Sequence, residues 1–242
     1  MRLLNVDTLQ LEDLAHSSRS WPSYTILSHT WGEGEITFQD LKSGRGPSLA
    51  GYEKLKGCCD LSKKERFQHT WIDTCCIDKS SSAELSEAIN SMFSFYSNAE
   101  VCYAYLSDVT GVVSDVASRS SFTKSRWFTR GWTLQELLAP REVVFLNKDW
   151  VEIGTRKSLA RTISEITRIA TGALEHPLCG SETCPHICRG YSVAQKMSWA
   201  ALRETTREED RAYSVMGLFG VNMPLYTGKE ATRRLSGFSG KS

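Results

Sequence analysis

One stretch of the sequence combines residues that could do chemistry with the signals of a helix. Ser125–Pro140 has the sequence SRWFTRGWTLQELLAP. Its first residue can accept a free backbone N–H and its last cannot continue a helix, so the stretch is predicted as one helix. The helical period places Glu136 on one face with Thr129 and Thr133, and Trp132 at the border of that face one turn earlier. A carboxylate so placed could stabilise a developing positive charge, but an ordinary amphipathic helix with a solvated glutamate has the same pattern.

The elements before this stretch predict the sheet that positions it. Four short β-prone runs, at residues 24–28, 70–74, 101–106 and 143–146, alternate with predicted helices, among them 48–64 and 82–98. This alternation predicts an α/β fold with a doubly wound, flavodoxin-like parallel sheet. Ligands of such sheets bind beyond the carboxyl ends of the strands. The loops after Ser28 and Asp73 are therefore the places where a site is expected.

The rest of the chain divides by pattern into further parts. Residues 1–149 are predicted to form the α/β core, with 1–23 as a lead-in and 107–124 as a polar linker. After Trp150 the periodicity is only helical, so 150–225 is predicted as a C-terminal helical appendage, one helix of which opens with a capping box of Thr206 and Glu209. Residues 226–242 are rich in small and basic residues and are expected to be a loose tail.

Composition and charge exclude several classes of protein. The chain has 242 residues, 40% of them hydrophobic and 24% charged, which suits an ordinary globular core. A net charge of +1 offers no field that would attract nucleic acid or an anionic membrane, so neither is an expected partner. The longest apolar runs are too short to span a membrane, and the first residues show no secretory signal. We therefore expect a cytoplasmic protein.

The eight cysteines form two groups. Cys58, Cys59, Cys75, Cys76 and Cys102 lie in or beside predicted core elements. In a chain without an export signal they are expected to be buried free thiols without disulfides.

The second group clusters in one loop. Cys179, Cys184, His186 and Cys188 fall within ten residues, but their spacing matches no common zinc motif. We expect no metal site, with zinc in this loop as the weaker alternative.

Several long motifs resemble the HET domain of fungal heterokaryon incompatibility proteins. The resemblance covers about residues 1 to 225. It is carried by YTILSHTWG at Tyr24–Gly32, WIDTCCID at Trp71–Asp78, the Arg126–Pro140 stretch, MSWAA at Met197–Ala201 and Arg203–Tyr213. The family implies a role in non-self recognition, programmed cell death and fungal innate immunity. The three cysteines of the second group depart from the family pattern.

A more distant resemblance is to TIR domains, the signalling domains of plant and animal immunity. Tyr24–Gly32 is similar to their first strand and loop, and Trp132 with Glu136 is similar to the Trp-x-x-x-Glu of the NAD-cleaving members. The resemblance implies Glu136 as the catalytic carboxylate. It implies a substrate-binding pocket made by Ser28, His29, Trp31, Gly32, Asp73 and Trp132. Residues 75–82 would form the loop over that pocket.

Two functions in different classes follow from these resemblances. In the first, the protein is an NAD(P) hydrolase that needs no cofactor, since NAD or NADP is its substrate. In the second, it is a non-enzymatic signalling module that acts by self-association. A homo-oligomer on activation is expected in either case, together with an upstream immune-receptor partner.

Overall fold

The computed structural model describes residues 1–13, 21–111, 116–176 and 190–224, with the backbone alone at 116–119. Its centre is one seven-stranded mixed sheet in the order β2-β1-β4-β3-β5-β6-β7. The strands are β1 Arg2–Asn5, β2 Leu11–Asp13, β3 Thr25–His29, β4 His69–Trp71, β5 Val101–Tyr105, β6 Val143–Leu146 and β7 Glu152–Thr155.

The middle of the sheet is parallel. Strands β4, β3, β5 and β6 pair side by side in the same direction, and all five residues of β3 are buried. Burial on both faces is expected of a central strand in a parallel sheet, and these four strands coincide with the β-prone runs predicted from the sequence. The α/β class and the four strands are confirmed, whereas the doubly wound placement of helices on both faces stays a prediction.

Three antiparallel strands at the edges contradict the predicted boundaries of the sheet. Strand β1 pairs with β4 and β2 with β1, so residues 1–13 are part of the sheet and not a lead-in. Strand β7 pairs with β6 after Trp150, where only helices were predicted. These strands have three or four residues, too few to show a clear period of two. In β7 the alternation is also interrupted by Gly154, whose φ is +152°.

The helices agree with the periodicity where it is long. They are α1 Phe38–Lys42, α2 Tyr52–Lys64, α3 Ser82–Asn98, α4 Val116–Thr123, α5 Thr133–Leu138, α6 Ala160–Thr167, α7 Thr171–Glu175, α8 Val193–Ala200 and α9 Asp210–Phe219. Helix α3 has the predicted bounds, and the Ser81 hydroxyl accepts from the Glu84 backbone N–H at its start. Helix α2 begins four residues later than predicted, after a 3₁₀ turn at Gly46–Ser48. Helix α4 lies in the predicted linker.

Helix α9 does not begin as predicted. It starts at Asp210 with Glu209 at its N-cap position and without a side-chain cap, so the capping box of Thr206 and Glu209 is wrong.

The stretch predicted as one helix is broken into two. A 3₁₀ turn covers Arg126–Thr129 and α5 follows at Thr133. Between them Arg130 is extended, with φ −79° and ψ 141°, and forms a β-bridge with Glu204. The Gly131 N–H donates to the Glu204 carbonyl at 2.8 Å. A segment that is distant in sequence thus takes the backbone groups that a continuous helix would use.

The break also overturns the predicted polar face. The Thr129 side chain is exposed and donates to the Arg126 carbonyl at 2.9 Å. Thr133 is buried and donates to the Trp127 carbonyl at 2.6 Å. Neither hydroxyl contacts Glu136, and every residue of α5 is buried.

The C-terminal helices pack closely on this region. The Gln135 side chain donates to the carbonyls of Tyr213 and Ser214 in α9, at 3.2 and 2.7 Å. A Cβ on Gly217 would lie 2.3 Å from Cβ of Phe93 in α3 and 2.5 Å from Gln135 Oε1. Glycine at this position lets α9 approach both α3 and α5. The domain boundary at residue 149/150 stays a prediction.

Other sequence predictions have mixed outcomes. The five cysteines of the first group are buried free thiols, as expected. The cysteines of the second group and residues 226–242 lie outside the described residues. In the described part of the chain, no helix is long and apolar enough to cross a membrane.

Candidate functional site

A cavity of about 400 Å³ lies at the carboxyl edge of the parallel strands. His29 is the last residue of β3, and Asp73 follows β4 by two residues. Helices α3 and α5 and the loop before α9 complete the walls. The lining residues are His29, Trp31, Asp73, Ile77, Lys79, Leu85, Ile89, Met92, Tyr96, Arg130, Trp132, Glu136, Thr206, Arg207, Glu209 and Asp210.

Two buried residues, Tyr96 and Glu136, line the cavity, and two fully buried residues outside the lining, Ser28 and Trp127, are linked to Glu136 by hydrogen bonds. These four residues are called the base of the cavity. Glu136 is only 9% exposed. The Ser28 hydroxyl donates to Glu136 Oε2 and accepts from the Trp127 indole N–H at 2.8 Å. Because Ser28 is at the carboxyl end of β3 and Trp127 lies in the 3₁₀ turn, this chain of bonds ties the carboxylate to the sheet.

Burial raises the pKa of Glu136 to about 8. The hydrogen bond from Ser28 and the charge of Arg130 act against this rise, and the negative charge of Asp73 adds to it. The Tyr96 hydroxyl donates to the Leu27 carbonyl at 3.1 Å. Below pH 8 the free protein therefore holds Glu136 mainly as the acid.

A second carboxylate, Asp73, stays ionised at the other side of the cavity. Its two oxygens bind His29 Nε2 at 3.1 Å and the Trp31 indole N–H at 2.9 Å. Burial would raise the pKa of Asp73, but these hydrogen bonds and the charge of Lys79 lower it below its usual value. Asp73 thereby fixes the loop that follows β3.

His29 is held by a partner on each ring nitrogen. The Lys54 ammonium lies 3.0 Å from His29 Nδ1 and also binds the Glu35 carboxylate. An ammonium can only donate, so Nδ1 accepts and Nε2 carries the proton donated to Asp73. His29 acts here as a fixed wall of the cavity and orients Asp73.

The rim of the cavity carries three cations, Lys79, Arg130 and Arg207. The Lys79 ammonium lies 3.5 Å from the centre of the Trp31 ring, which is 45% exposed. In the described part of the chain, no carboxylate oxygen lies within 4 Å of any of the three. The three cations therefore share the cavity lining with Glu209 and Asp210 but form no ion pair with any described carboxylate.

One buried cation supports the base from outside the cavity lining. Arg203 is 7% exposed and donates to the Arg130 carbonyl at 2.9 Å and to the Thr133 hydroxyl at 2.8 Å. Burial lowers the pKa of Arg203 to about 10, and the charge of Glu136 acts to raise it. Arg203 therefore fixes the junction between the 3₁₀ turn and α5 and places a positive charge near the buried glutamate.

Five of the seven predicted site residues line the cavity, and Ser28 and Gly32 do not. Glu136, His29, Trp31, Asp73 and Trp132 line the cavity, and Ser28 contacts Glu136 at its base. Gly32 is not in the lining, and its N–H donates to Glu35 Oε1 at 2.8 Å. Gly32 therefore helps to order the loop after β3 and does not line the cavity.

Sequence reasoning missed several lining residues. Tyr96, Arg207 and Asp210 line the cavity and Arg203 supports it from outside, but none of them was predicted as a site residue. The only signal for the last three was the dense charge of the segment Arg203–Asp210, which does not reveal which cavity it faces. Within the described residues, no group of three or more His, Cys, Asp or Glu side chains could hold a metal.

Comparison with known proteins gives a consistent result. The family model of "Heterokaryon incompatibility protein (HET)" matches residues 24–117. The chain is 46% identical over 220 residues to the vegetative incompatibility protein HET-E-1 of Podospora anserina. This similarity covers 88% of the chain and 16% of that relative, so the chain spans about a sixth of its length. No solved structure matches the chain.

Proposed function

The chain carries a HET domain and belongs to that family, and we propose that it acts in fungal non-self recognition and regulated cell death by hydrolysing NAD or NADP. The observation that carries this proposal is the buried carboxylate of Glu136 at the base of a cavity at the carboxyl edge of the sheet. In open α/β sheets this edge is where ligands bind, and the cavity volume is within the range of small-molecule sites.

The reaction breaks the C–N bond between nicotinamide and ribose. The electron pair of that bond leaves with nicotinamide, which becomes neutral, so the leaving group needs no proton. Water adds to the sugar carbon and releases one proton, giving nicotinamide and ADP-ribose. Glycosidases use two carboxylates partly because their leaving oxygen must be protonated. One carboxylate is sufficient here.

Each residue of the base has a role in this proposal. The Glu136 carboxylate stabilises the positive charge that develops on the sugar and orients its hydroxyls. Ser28 and Trp127 hold Glu136 in place, and Tyr96 lies beside it. The half-buried Trp132 ring packs against ribose or nicotinamide.

Substrate charge affects the ionisation of Glu136. Its pKa of about 8 is caused first by burial, and the negative charge of Asp73 adds to the rise. The nicotinamide ring of the substrate is a cation, and a neighbouring positive charge favours the carboxylate. Binding of substrate therefore supplies the ionised form that the reaction requires.

The test compares wild type with Glu136→Gln for release of nicotinamide from NAD and from NADP. We expect loss of at least ~100-fold in kcat, as removal of one preorganised transition-state contact commonly causes, together with loss of killing in a fungal host. Glu152→Gln is the matched control, because Glu152 is exposed on β7 and does not line the cavity. A folded Glu136→Gln protein that releases nicotinamide at the wild-type rate contradicts the proposal.

A second candidate is the signalling module that acts by self-association, either as a homo-oligomer or with an immune-receptor partner. Val193 and Met197 lie one turn apart on α8 and are 66% and 49% exposed, and Leu202 nearby is 63% exposed. Such a group of exposed apolar side chains favours a contact surface. If this function is the right one, Met197→Asp abolishes killing while Glu136→Gln leaves it intact.

A further inference from the structure

The cavity lining carries three cations, Lys79, Arg130 and Arg207. Within the described residues, none of them forms an ion pair with the four carboxylates of the same lining, Asp73, Glu136, Glu209 and Asp210. Lys79 comes from the loop after β4, Arg130 from the break before α5, and Arg207 from the loop before α9. Three separate parts of the chain therefore converge on one opening with cationic side chains. Chance surface lysines and arginines commonly turn away from one another, because like charges at short range repel.

These cations are close enough to influence one another. Burial lowers the pKa of Lys79, and the positive charge of Arg207 lowers it further, against the charge of Asp73. Arg130 lies near enough to Glu136 for its charge to lower the pKa of that carboxyl. Lys79 and Arg207 are exposed loop residues of the lining, and Arg130 directly precedes the turn of chain that leads into α5 and Glu136.

Of the four carboxylates that line the cavity, Asp73 and Glu136 are held by other groups, and no oxygen of Glu209 or Asp210 lies within 4 Å of a described cation. Both oxygens of Asp73 are taken by His29 and Trp31, and Glu136 is bound by Ser28. Lys79 has an aromatic ring and no carboxylate oxygen as its close partner. An anionic ligand would therefore meet cations that need not first break an ion pair, which lowers the cost of binding.

We propose that Lys79 and Arg207 bind the diphosphate of the dinucleotide, so that the rim selects substrates that carry phosphate while the base performs the cleavage. This inference rests on the proposed function, since it names the part of the same substrate that each region contacts. Arginine binds phosphate oxygens through paired N–H groups, and lysine acts as a mobile point charge. With nicotinamide at Glu136, the next charged part of the substrate is the diphosphate, and the rim is the next charged part of the cavity.

The assignment separates two kinetic effects. A group that binds the diphosphate equally in the ground state and the transition state changes KM and leaves kcat unchanged. Nicotinamide riboside contains the same bond to be cleaved but no phosphate. Its cleavage should therefore depend on Glu136 and not on the rim.

The experiment measures kcat and KM for NAD and for nicotinamide riboside with wild type, Lys79→Met, Arg207→Gln and the double variant. We expect about a tenfold rise in KM for NAD in each single variant, the loss typical of one charge-assisted hydrogen bond, and a larger rise in the double variant. Neither kcat nor the constants for nicotinamide riboside should change by more than ~twofold. Arg211→Gln is the control. The substitution removes the same charge, but Arg211 is exposed on α9 and does not line the cavity.

A binding measurement keeps this inference distinct from the proposed function. Calorimetric titration of ADP-ribose into Glu136→Gln, with and without Arg207→Gln, requires no catalysis. Weaker binding of ADP-ribose to Glu136→Gln/Arg207→Gln than to Glu136→Gln supports the rim assignment. This holds even if wild type cleaves no NAD, an outcome that would overturn only the proposed reaction. Unchanged or absent binding of ADP-ribose overturns the inference, as does an equal loss of NAD and nicotinamide riboside cleavage in Arg207→Gln.

Discussion

The base and the rim of the cavity hold their charges in opposite ways. In the base, Glu136 is buried, bound by Ser28, and shifted to a pKa of about 8. At the rim, Lys79 and Arg207 are exposed and have no carboxylate oxygen within 4 Å in the described part of the chain. The base fixes one ionisable side chain in one geometry, whereas the rim presents cationic side chains that an anionic ligand can bind.

The difference follows from the elements that build each region. The base is made by the central strand β3, by α3 and by the two halves of the Ser125–Pro140 stretch, all of them in the core. The rim is made by loops, where long side chains keep several rotamers and solvent weakens pairwise attraction. Precision of geometry is therefore expected from the base, and dependence on ligand charge from the rim.

The largest expected effect separates the regions by stability and pH. Because burial raises the pKa of Glu136 from 4.5 to about 8, the folded state holds this proton more tightly than the unfolded state. The resulting stability is present at low pH and is lost as pH rises from about 4.5 to 8, by up to ~1.4 kcal/mol per pH unit. Glu136→Gln lacks this loss, so its free energy of unfolding should increasingly exceed that of wild type as pH rises over this range. Above about pH 8 the difference between the two proteins should be constant.

Urea unfolding at a series of pH values measures this difference. The rim offers the contrast, because Arg207→Gln concerns an exposed group and should change stability by no more than ~0.5 kcal/mol at any pH. A difference between Glu136→Gln and wild type that stays constant from about pH 5 to pH 8 would show that Glu136 is not held as described.

A second prediction concerns the packing that joins the two regions. A Cβ on Gly217 would approach Phe93 Cβ to 2.3 Å and Gln135 Oε1 to 2.5 Å, so Gly217→Ala should force α9 away from α3 and α5. We expect a loss of about 1–3 kcal/mol in the free energy of unfolding, as for overpacked cores. The loop before α9 carries Arg207, so KM for NAD should rise as well.

Gly172→Ala is the matched control for this packing. It is also a helical glycine, but its Cβ would meet only the Tyr191 hydroxyl at 3.3 Å, the far end of a side chain. Thermal unfolding measures the melting temperatures of both variants, and we expect a clear decrease for Gly217→Ala alone. Equal melting temperatures for Gly217→Ala and wild type would mean that α9 does not approach as closely as the structure has it.

The same comparison explains which parts of the molecule could be predicted from the sequence. Helix α3 and strand β5 have long, consistent patterns, and their own residues determine them. The break at Arg130 depends on Glu204, which supplies a β-bridge from far along the chain. No periodicity within Ser125–Pro140 could indicate it.

The parts of the site that short sequence motifs indicate were predicted, and the parts that depend on contacts between distant segments were not. Glu136 was identified from a motif, but its burial was not, because the helical pattern gave it a polar face that α9 and the sheet cover in the folded protein. The link from Trp127 to Glu136 runs through Ser28, which lies 99 and 108 residues earlier in the chain than these two residues. The rim was missed because exposed charges in loops carry no period, and only the fold shows which of them meet.

The last prediction tests whether the base acts by positioning alone. Ser28→Ala removes the donor to Glu136 Oε2 and the acceptor of the Trp127 N–H. Two buried polar groups lose a partner, so a loss of about 1–3 kcal/mol of stability is expected. Since the Ser28 hydrogen bond lowers the pKa of Glu136, its removal should raise that pKa further.

The pH dependence of kcat/KM for NAD, which reports the ionisation of the free enzyme, measures this change. In wild type kcat/KM should rise with pH towards a plateau above about pH 8, and in Ser28→Ala the rise should move to higher pH. The loss of activity should therefore be larger at neutral than at alkaline pH, whereas Arg207→Gln should lower kcat/KM by the same factor across this range. Ser198→Ala, an exposed helical serine, controls for loss of a hydroxyl. An unshifted pH profile in Ser28→Ala would mean that Ser28 supports the fold without changing the pKa of Glu136. The pH dependence of the base would then no more depend on the Ser28 hydrogen bond than that of the rim does.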